Sequence, residues 1–289
     1  VRRCLACDAR FDGSDWSCAS CGATPEVIDG LTAFAPALQV DGDGFEAEAF
    51  SKLAEIEPRS FWFRARNRLI AWSVARHFPT ARSMLEIGCG TGFVLSGLRA
   101  TLPGLALSGS ELFAEALAFS RDRLPGVALY QMDARDIPFA EEFDVVGAFD
   151  VLEHIGEDEQ VLAQMHAATR PGGGIVVTVP QHQRLWSPYD DYAHHVRRYG
   201  RAELVAKVER AGFEVQRVTS FVAFLLPLMA AARLRVRRRG EIDLAADLTC
   251  PSRLDRVLER VLDVELDLIR RGVSLPAGGS LLVVARRAA

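Results

Sequence analysis

Ten consecutive residues, Met84-Leu85-Glu86-Ile87-Gly88-Cys89-Gly90-Thr91-Gly92-Phe93, restrict this chain more than any other stretch. A short apolar run meets an acid and three glycines spaced by two, and a helical pattern follows. That is a buried strand, a tight turn and a helix start, the opening unit of an α/β sheet that binds ligand over its strand ends. Glycines at such a turn let the backbone approach a ligand closely and enter the helix without a Cβ clash. The loop departs from the dinucleotide fingerprint G-x-G-x-x-G, because the third glycine comes one residue early and Phe93 takes its place. Glu86, two residues before the first glycine, would repel a pyrophosphate and suits a cationic ligand.

Acids recur at the ends of the strands that follow. Residues 105–110 read as a second strand ending at Glu111, 23 residues after Gly88, where a carboxylate can accept both ribose hydroxyls of an adenosine. Residues 127–132 read as a third strand before Asp133-Ala134-Arg135, and 143–149 as a fourth, near-continuous apolar strand before Asp150-Val151-Leu152-Glu153-His154. Pro171-Gly172-Gly173-Gly174 turns into a fifth buried strand at 175–179. This order closely resembles the class I S-adenosylmethionine (SAM)-dependent methyltransferases over about residues 60–220, plus a last strand near 280. The ligand of that family has no phosphate and carries an ammonium and a sulfonium.

The resemblance implies a Rossmann-like seven-stranded sheet with helices on both faces. It also implies a SAM site in which Glu86, Gly88, Gly90 and Gly92 form the loop and Glu111 holds the ribose. Asp133 and Ala134 would meet the adenine, and Asp150 would lie near the methionine end. Five acid or glycine features in the right order make chance solvated strand ends a poor alternative.

Cysteine spacing marks a second unit. Cys4-x-x-Cys7 and Cys18-x-x-Cys21 are separated by ten residues, and each pair can present two thiolates to one tetrahedral zinc. A segment this small cannot hold a core alone, so a structural zinc would supply its folding energy. Residues 1–40 are therefore expected to form a zinc ribbon with Cys4, Cys7, Cys18 and Cys21 as ligands. Residues 41–80 would supply helices covering the cleft, one with Phe45, Ala49, Phe50 and Leu53 on one face and one capped by Ser60. Phe61, Trp62, Arg64 and Arg68 stand either at the cleft mouth or in the core. Residues 81–289 would form the methyltransferase domain, with a helical insertion at 221–278 before the last strand.

The first 20 residues hold no apolar segment, and the longest apolar run, 221–232, is too short to span a bilayer. The expected location is the cytoplasm. The insertion leaves three readings open: peripheral contact with the inner face of the membrane through 221–239, a cap on the sheet, or a homodimer contact. Its arginines, Arg233 to Arg239, would meet anionic headgroups in the first reading and solvent in the second.

The connection at 181–199 is long, polar and aromatic, and it holds three of the six histidines. His194 or His195, oriented by Asp190 or Asp191, or His154 directly after the fourth strand, could take a proton during methyl transfer. The Arg197-Arg198-Tyr199 run could instead tie the loop to the sheet. The expected reaction is methyl transfer to a small-molecule acceptor, with a hydroxyl of a lipid-linked, quinone-like or sugar-containing metabolite preferred. A zinc-ribbon RNA methyltransferase and a SAM-binding partner module without catalysis are the alternatives. Net charge is −4, and residues 1–40 carry three Arg against five Asp and Glu. A nucleic-acid partner is disfavoured because phosphate contact needs a basic surface.

Overall fold

The computed structural model describes residues 1–13, 15–39, 47–239 and 249–289. Phe45 and part of the 221–278 insertion lie outside the described residues. The central strands are β5 (Ser83–Ile87), β6 (Ala106–Glu111), β7 (Ala128–Gln131), β8 (Phe143–Phe149) and β9 (Thr169–Pro180). They are parallel, and β10 (Phe213–Phe221) and β11 (Ser280–Arg287) complete one side with β11 antiparallel between β9 and β10. These seven form the Rossmann-like seven-stranded sheet that the resemblance implies.

The sheet has two further strands, both from the N-terminal segment. A hairpin of β3 (Glu26–Ile28) and β4 (Leu31–Ala33) joins the free edge, with β4 parallel to β7 through Thr32 opposite Tyr130 and Ala33 opposite Gln131. The sheet therefore runs β10-β11-β9-β8-β5-β6-β7-β4-β3. Pairing satisfies backbone groups that an open edge would leave bare. Only the first part of the segment stands apart, as a two-stranded unit of β1 (Arg2–Arg3) and β2 (Arg10–Phe11).

Strand period two explains the two cores. Met84, Val145, Val176 and Leu282 face a layer built from α2 (Phe61–His77), α3 (Phe93–Thr101), α4 (Ala114–Arg123) and α9 (Ser252–Arg270). Their neighbours Leu85, Val146, Val177 and Leu281 face the opposite layer, with Val161, Leu162 and Met165 of α5 (Asp158–Ala168) and Leu204 and Val208 of α7 (Arg201–Arg210). Helices do lie on both faces. The Pro171–Gly174 turn expected before the fifth strand is instead part of β9, which starts at Thr169 with an irregular register against β8.

The insertion is helical, with α8 (Leu226–Arg239) and α9. Glu265 of α9 is buried and accepts from the backbone N–H groups of Ala223 and Phe224, both at 2.9 Å. Leu262, Leu266 and Ile269 of α9 are buried against the sheet layer, as a cap requires. Arg64 and Arg68 do not reach a cleft mouth: they pair with Asp255, Glu259 and Asp263 of α9. Ser60 makes no side-chain cap, and Asp255 accepts from the Phe61 N–H at 2.8 Å instead. The helix start is capped across 194 residues of chain because the insertion docks there.

Among the described residues no helix is long and apolar enough to cross a membrane. Arg233 is not a free headgroup contact, since it binds Asp190 and Ser187 at 2.7 Å, while Arg235, Arg238, Phe224, Leu228 and Leu234 are each exposed.

Candidate active site

The order of the sheet reverses between β5 and β8, so the loops leaving these two neighbours open a crevice at their carboxyl ends. From β5 comes the glycine loop. Gly88 and Gly90 sit at φ +64° and +51°, in the left-handed region. A Cβ on Gly88 would lie 2.5 Å from Val151, whereas one on Gly90 would meet nothing within 4 Å. Backbone and space at Gly90 thus suit close approach by a ligand.

Acids surround this turn. Glu86 is 2% exposed, and one of its carboxylate oxygens has no hydrogen-bond partner among the described residues. Burial pushes its carboxyl well above the ordinary range, and the charges of Glu57 and Glu111 add to that. Glu111, at the end of β6, accepts from the N–H of Gly90 at 3.0 Å and of Leu112 at 2.7 Å. Burial raises its carboxyl too, against the pull of those donors. Glu57 accepts from Thr91 of the loop and from Arg123 at 2.8 Å, fixing the loop from behind. Such desolvated carboxylates are costly unless a cation meets them.

Asp150, at the end of β8, is held at φ +58°, a conformation that an Asp adopts at some cost. Its carboxylate pairs with Arg66 of α2 at 2.6 Å and accepts from Thr178 at 3.3 Å. Arg66 was not apparent from sequence; it lies on the buried face of α2, and only the docking of that helix points it at β8. Asp133 follows β7 but turns to Arg135, with a 2.8 Å ion pair and the Arg135 N–H at 2.8 Å, and Ala134 beside it is buried. A polar depression of about 540 Å³ adjoins Asp133 on the side of Arg3, Asp8 and Gln164. Its lining includes neither the glycine loop nor Glu111, so it is not the crevice described above.

Two of the three histidines meet. The ring of His154 lies edge-on to that of His195, with centroids 4.7 Å apart. His195 Nδ1 bonds Asp190 at 2.9 Å, and its backbone N–H donates to the Asp190 carbonyl at 2.8 Å. Asp190, rather than Asp191, is therefore the orienting acid; Asp191 accepts from the Trp186 indole. His194 is exposed at φ +53° and does not join the pair. Burial and the neighbouring His195 hold the His154 imidazole down at about 3, so the ring is neutral at pH 7. Glu153 beside them is fully buried, and neither carboxylate oxygen has a hydrogen-bond partner among the described residues. Arg198 and Tyr199 are structural: Arg198 binds Asp190 and the carbonyls of Gln181 and Gly279, and Tyr199 donates to Asp158 at 2.6 Å.

A methyltransferase domain family model matches residues 54–218. The chain belongs to that methyltransferase family. It is 30% identical over 164 residues to a probable SAM-dependent methyltransferase of Mycolicibacterium smegmatis, a match covering 54% of this chain and 61% of that protein. It is 31% identical over 143 residues to the dTDP-3-amino-3,6-dideoxy-alpha-D-glucopyranose N,N-dimethyltransferase of Streptomyces fradiae, covering 48% and 54%. The chain thus spans only a little over half the length of these relatives. Haemonchus contortus phosphoethanolamine N-methyltransferase 2, solved with S-adenosyl-L-methionine, shares the fold with a TM-score of 0.58 at 18% identity, over 89% of this chain and 60% of that one.

Outside the methyltransferase match, the four N-terminal cysteines converge, with Cys4 to Cys21 at 3.6 Å and Cys7 to Cys18 at 3.7 Å between sulfurs. A disulfide needs about 2.05 Å, whereas a tetrahedron of Zn–S bonds of about 2.3 Å puts sulfurs about 3.8 Å apart. Both knuckles repeat one pattern. The N–H of Cys4 donates to Ala9 and that of Cys18 to Ala23, and Asp8 and Gly22 return a bond to the cysteine carbonyls from left-handed positions. The donor set fits zinc, and the unit is fastened to the methyltransferase sheet by Trp16, whose ring packs edge-on against Phe34, Tyr130 and Phe139.

Proposed function

We propose that this chain is a SAM-dependent methyltransferase acting on a hydroxyl of a small sugar-containing, quinone-like or lipid-linked molecule. The observation that carries the donor side is the desolvated carboxylate of Glu86 under a glycine turn whose Gly90 faces open space. SAM supplies an ammonium for such carboxylates and a methyl group on a sulfonium. In this reading Glu111 accepts the ribose hydroxyls, Asp133 with Ala134 borders the adenine, and Asp150, braced by Arg66, stands at the methionine end. His154 and His195 lie on the acceptor side because His154 follows Asp150 by four residues on the same strand end. When the methyl carbon leaves sulfur and bonds to oxygen, the hydroxyl proton must leave, and the Asp190-held His195 face is where it would be released. Most of the rate would come from in-line positioning.

An amine acceptor is the second reading, favoured by similarity to a relative named as an amino-sugar N,N-dimethyltransferase. It needs the acceptor nitrogen neutral, which a neutral His154 ring would not oppose.

Calorimetric titration tests the donor site. Wild type should bind SAM, and Glu111→Ala should bind it about 10–100-fold more weakly, or roughly 1.4–2.7 kcal/mol. A folded wild type that binds no SAM would overturn the reading. On the acceptor side, His195→Ala should lower kcat by about 100-fold or more while leaving SAM affinity unchanged. Equal loss of SAM binding would move His195 to the donor side.

A further inference from the structure

Glu153, His154 and His195 each offer one ligand atom, and these atoms lie within 4.8 Å of one another. Two different segments build the cluster. Glu153 and His154 belong to the short turn after β8, and His195 comes from the 181–199 connection; the two are locked together by the Val196 N–H donating to the Glu153 carbonyl at 2.7 Å. We infer that these three side chains form a binding site for one divalent first-row transition-metal ion, additional to the cysteine cluster.

Three features support it. The Glu153 carboxylate is fully buried with both oxygens unpartnered among the described residues, a cost that folding alone does not offset. Two imidazoles and one carboxylate on one side of a site are the donor set that zinc, iron, manganese and cobalt accept, with further positions left open. His195 has its other ring nitrogen on the Asp190 carboxylate, the outer support that orients most metal-bound histidines. Around an ion with bonds of about 2.1 Å, neighbouring ligand atoms stand about 3–3.4 Å apart, so the three groups draw in when it binds. The charged groups around Glu153 are Arg66 and Arg198, paired with Asp150 and Asp190 respectively.

What the ion would do rests on the methyltransferase reading: bound beside the methionine end, it would occupy the His195 nitrogen that otherwise receives the proton, and would instead lower the pKa of a coordinated acceptor hydroxyl so that its proton passes to solvent, which favours oxygen over nitrogen. Whether it binds does not depend on that reading, and the two are measured separately. Zinc-loaded protein is dialysed against Co²⁺ and followed by visible absorption, with SAM titrated in a parallel experiment. The expected result is a further equivalent of Co²⁺ with d–d bands and no thiolate-to-cobalt charge-transfer band, since the thiolates hold zinc. Glu153→Gln and His195→Gln should each weaken it by at least about tenfold while retaining zinc and SAM binding. A misfolded variant leaves the wild-type spectrum to decide. No saturable Co²⁺ in wild type, a charge-transfer band alone, or undiminished binding in both folded variants would overturn the site, whatever SAM does.

Discussion

Asp190→Asn is expected to lower the unfolding free energy by about 3–5 kcal/mol, the loss seen when one partner of a buried ion pair is removed. Asp190 pairs with two guanidinium groups and a histidine at a buried position. The Asp190 side chain has no exposed surface, and its two oxygens meet His195 at 2.9 Å, Arg198 at 2.8 Å and Arg233 at 2.7 Å. It also accepts from the backbone N–H of Ser187. Burial pushes its carboxyl up, yet the bond to His195 and the two guanidinium charges outweigh this and hold it well below the ordinary range. Asn keeps the shape and removes the charge, leaving Arg198, 1% exposed, without its counter-ion. Three pieces of chain would loosen together: the 181–199 connection, the start of β11 through the Gly279 carbonyl, and α8 through Arg233. Urea denaturation reads the loss directly. A change under about 1 kcal/mol would mean that Arg198 and Arg233 find other partners or water.

Withdrawing zinc should have the other large effect. Structural zinc contributes roughly 10–16 kcal/mol in small zinc modules, far more than the short β1 and β2 strands could replace. Chelation, or Cys18→Ser, is expected to unfold residues up to about 22 and open them to trypsin at Arg2, Arg3 and Arg10. The consequence does not stop there. Trp16 would leave Phe34, Tyr130 and Phe139, the β3–β4 hairpin would lose its support, and the edge of β7 would be bared to pairing between chains. Trp fluorescence, zinc release and light scattering should change together, while SAM binding by the fraction that stays unaggregated persists. Unchanged proteolysis after chelation, with no zinc released, would remove the ribbon from the argument.

Much of the candidate crevice was legible because it is local. Gly88, Gly90, Gly92, Glu86, Glu111 and Asp150 all sit at the ends of apolar runs, and a strand end fixes where its next residue stands. The cysteine knuckles were legible for the same reason, since each ligand pair spans four residues. The histidine loop was readable in part: the spacing of Asp190 and His195 allowed their bond, but nothing in it separated His195 from His194, which differ only in which way the chain turns at φ +53°.

What the sequence by itself determined was the order of strands, the acid at each strand end, the glycine turn and the two cysteine pairs, all set by periodicity and by spacings of a few residues. Only the tertiary structure decided the rest. It attached the N-terminal hairpin to the methyltransferase sheet, turned Arg64 and Arg68 onto α9, and aimed Arg66 at Asp150. It also capped α2 with Asp255 rather than Ser60 and drew Glu153, His154 and His195 into one cluster. Each of these contacts joins residues tens to hundreds of positions apart, and their charges are satisfied by whichever partner the packing of helices brings within about 3 Å, which no local pattern encodes.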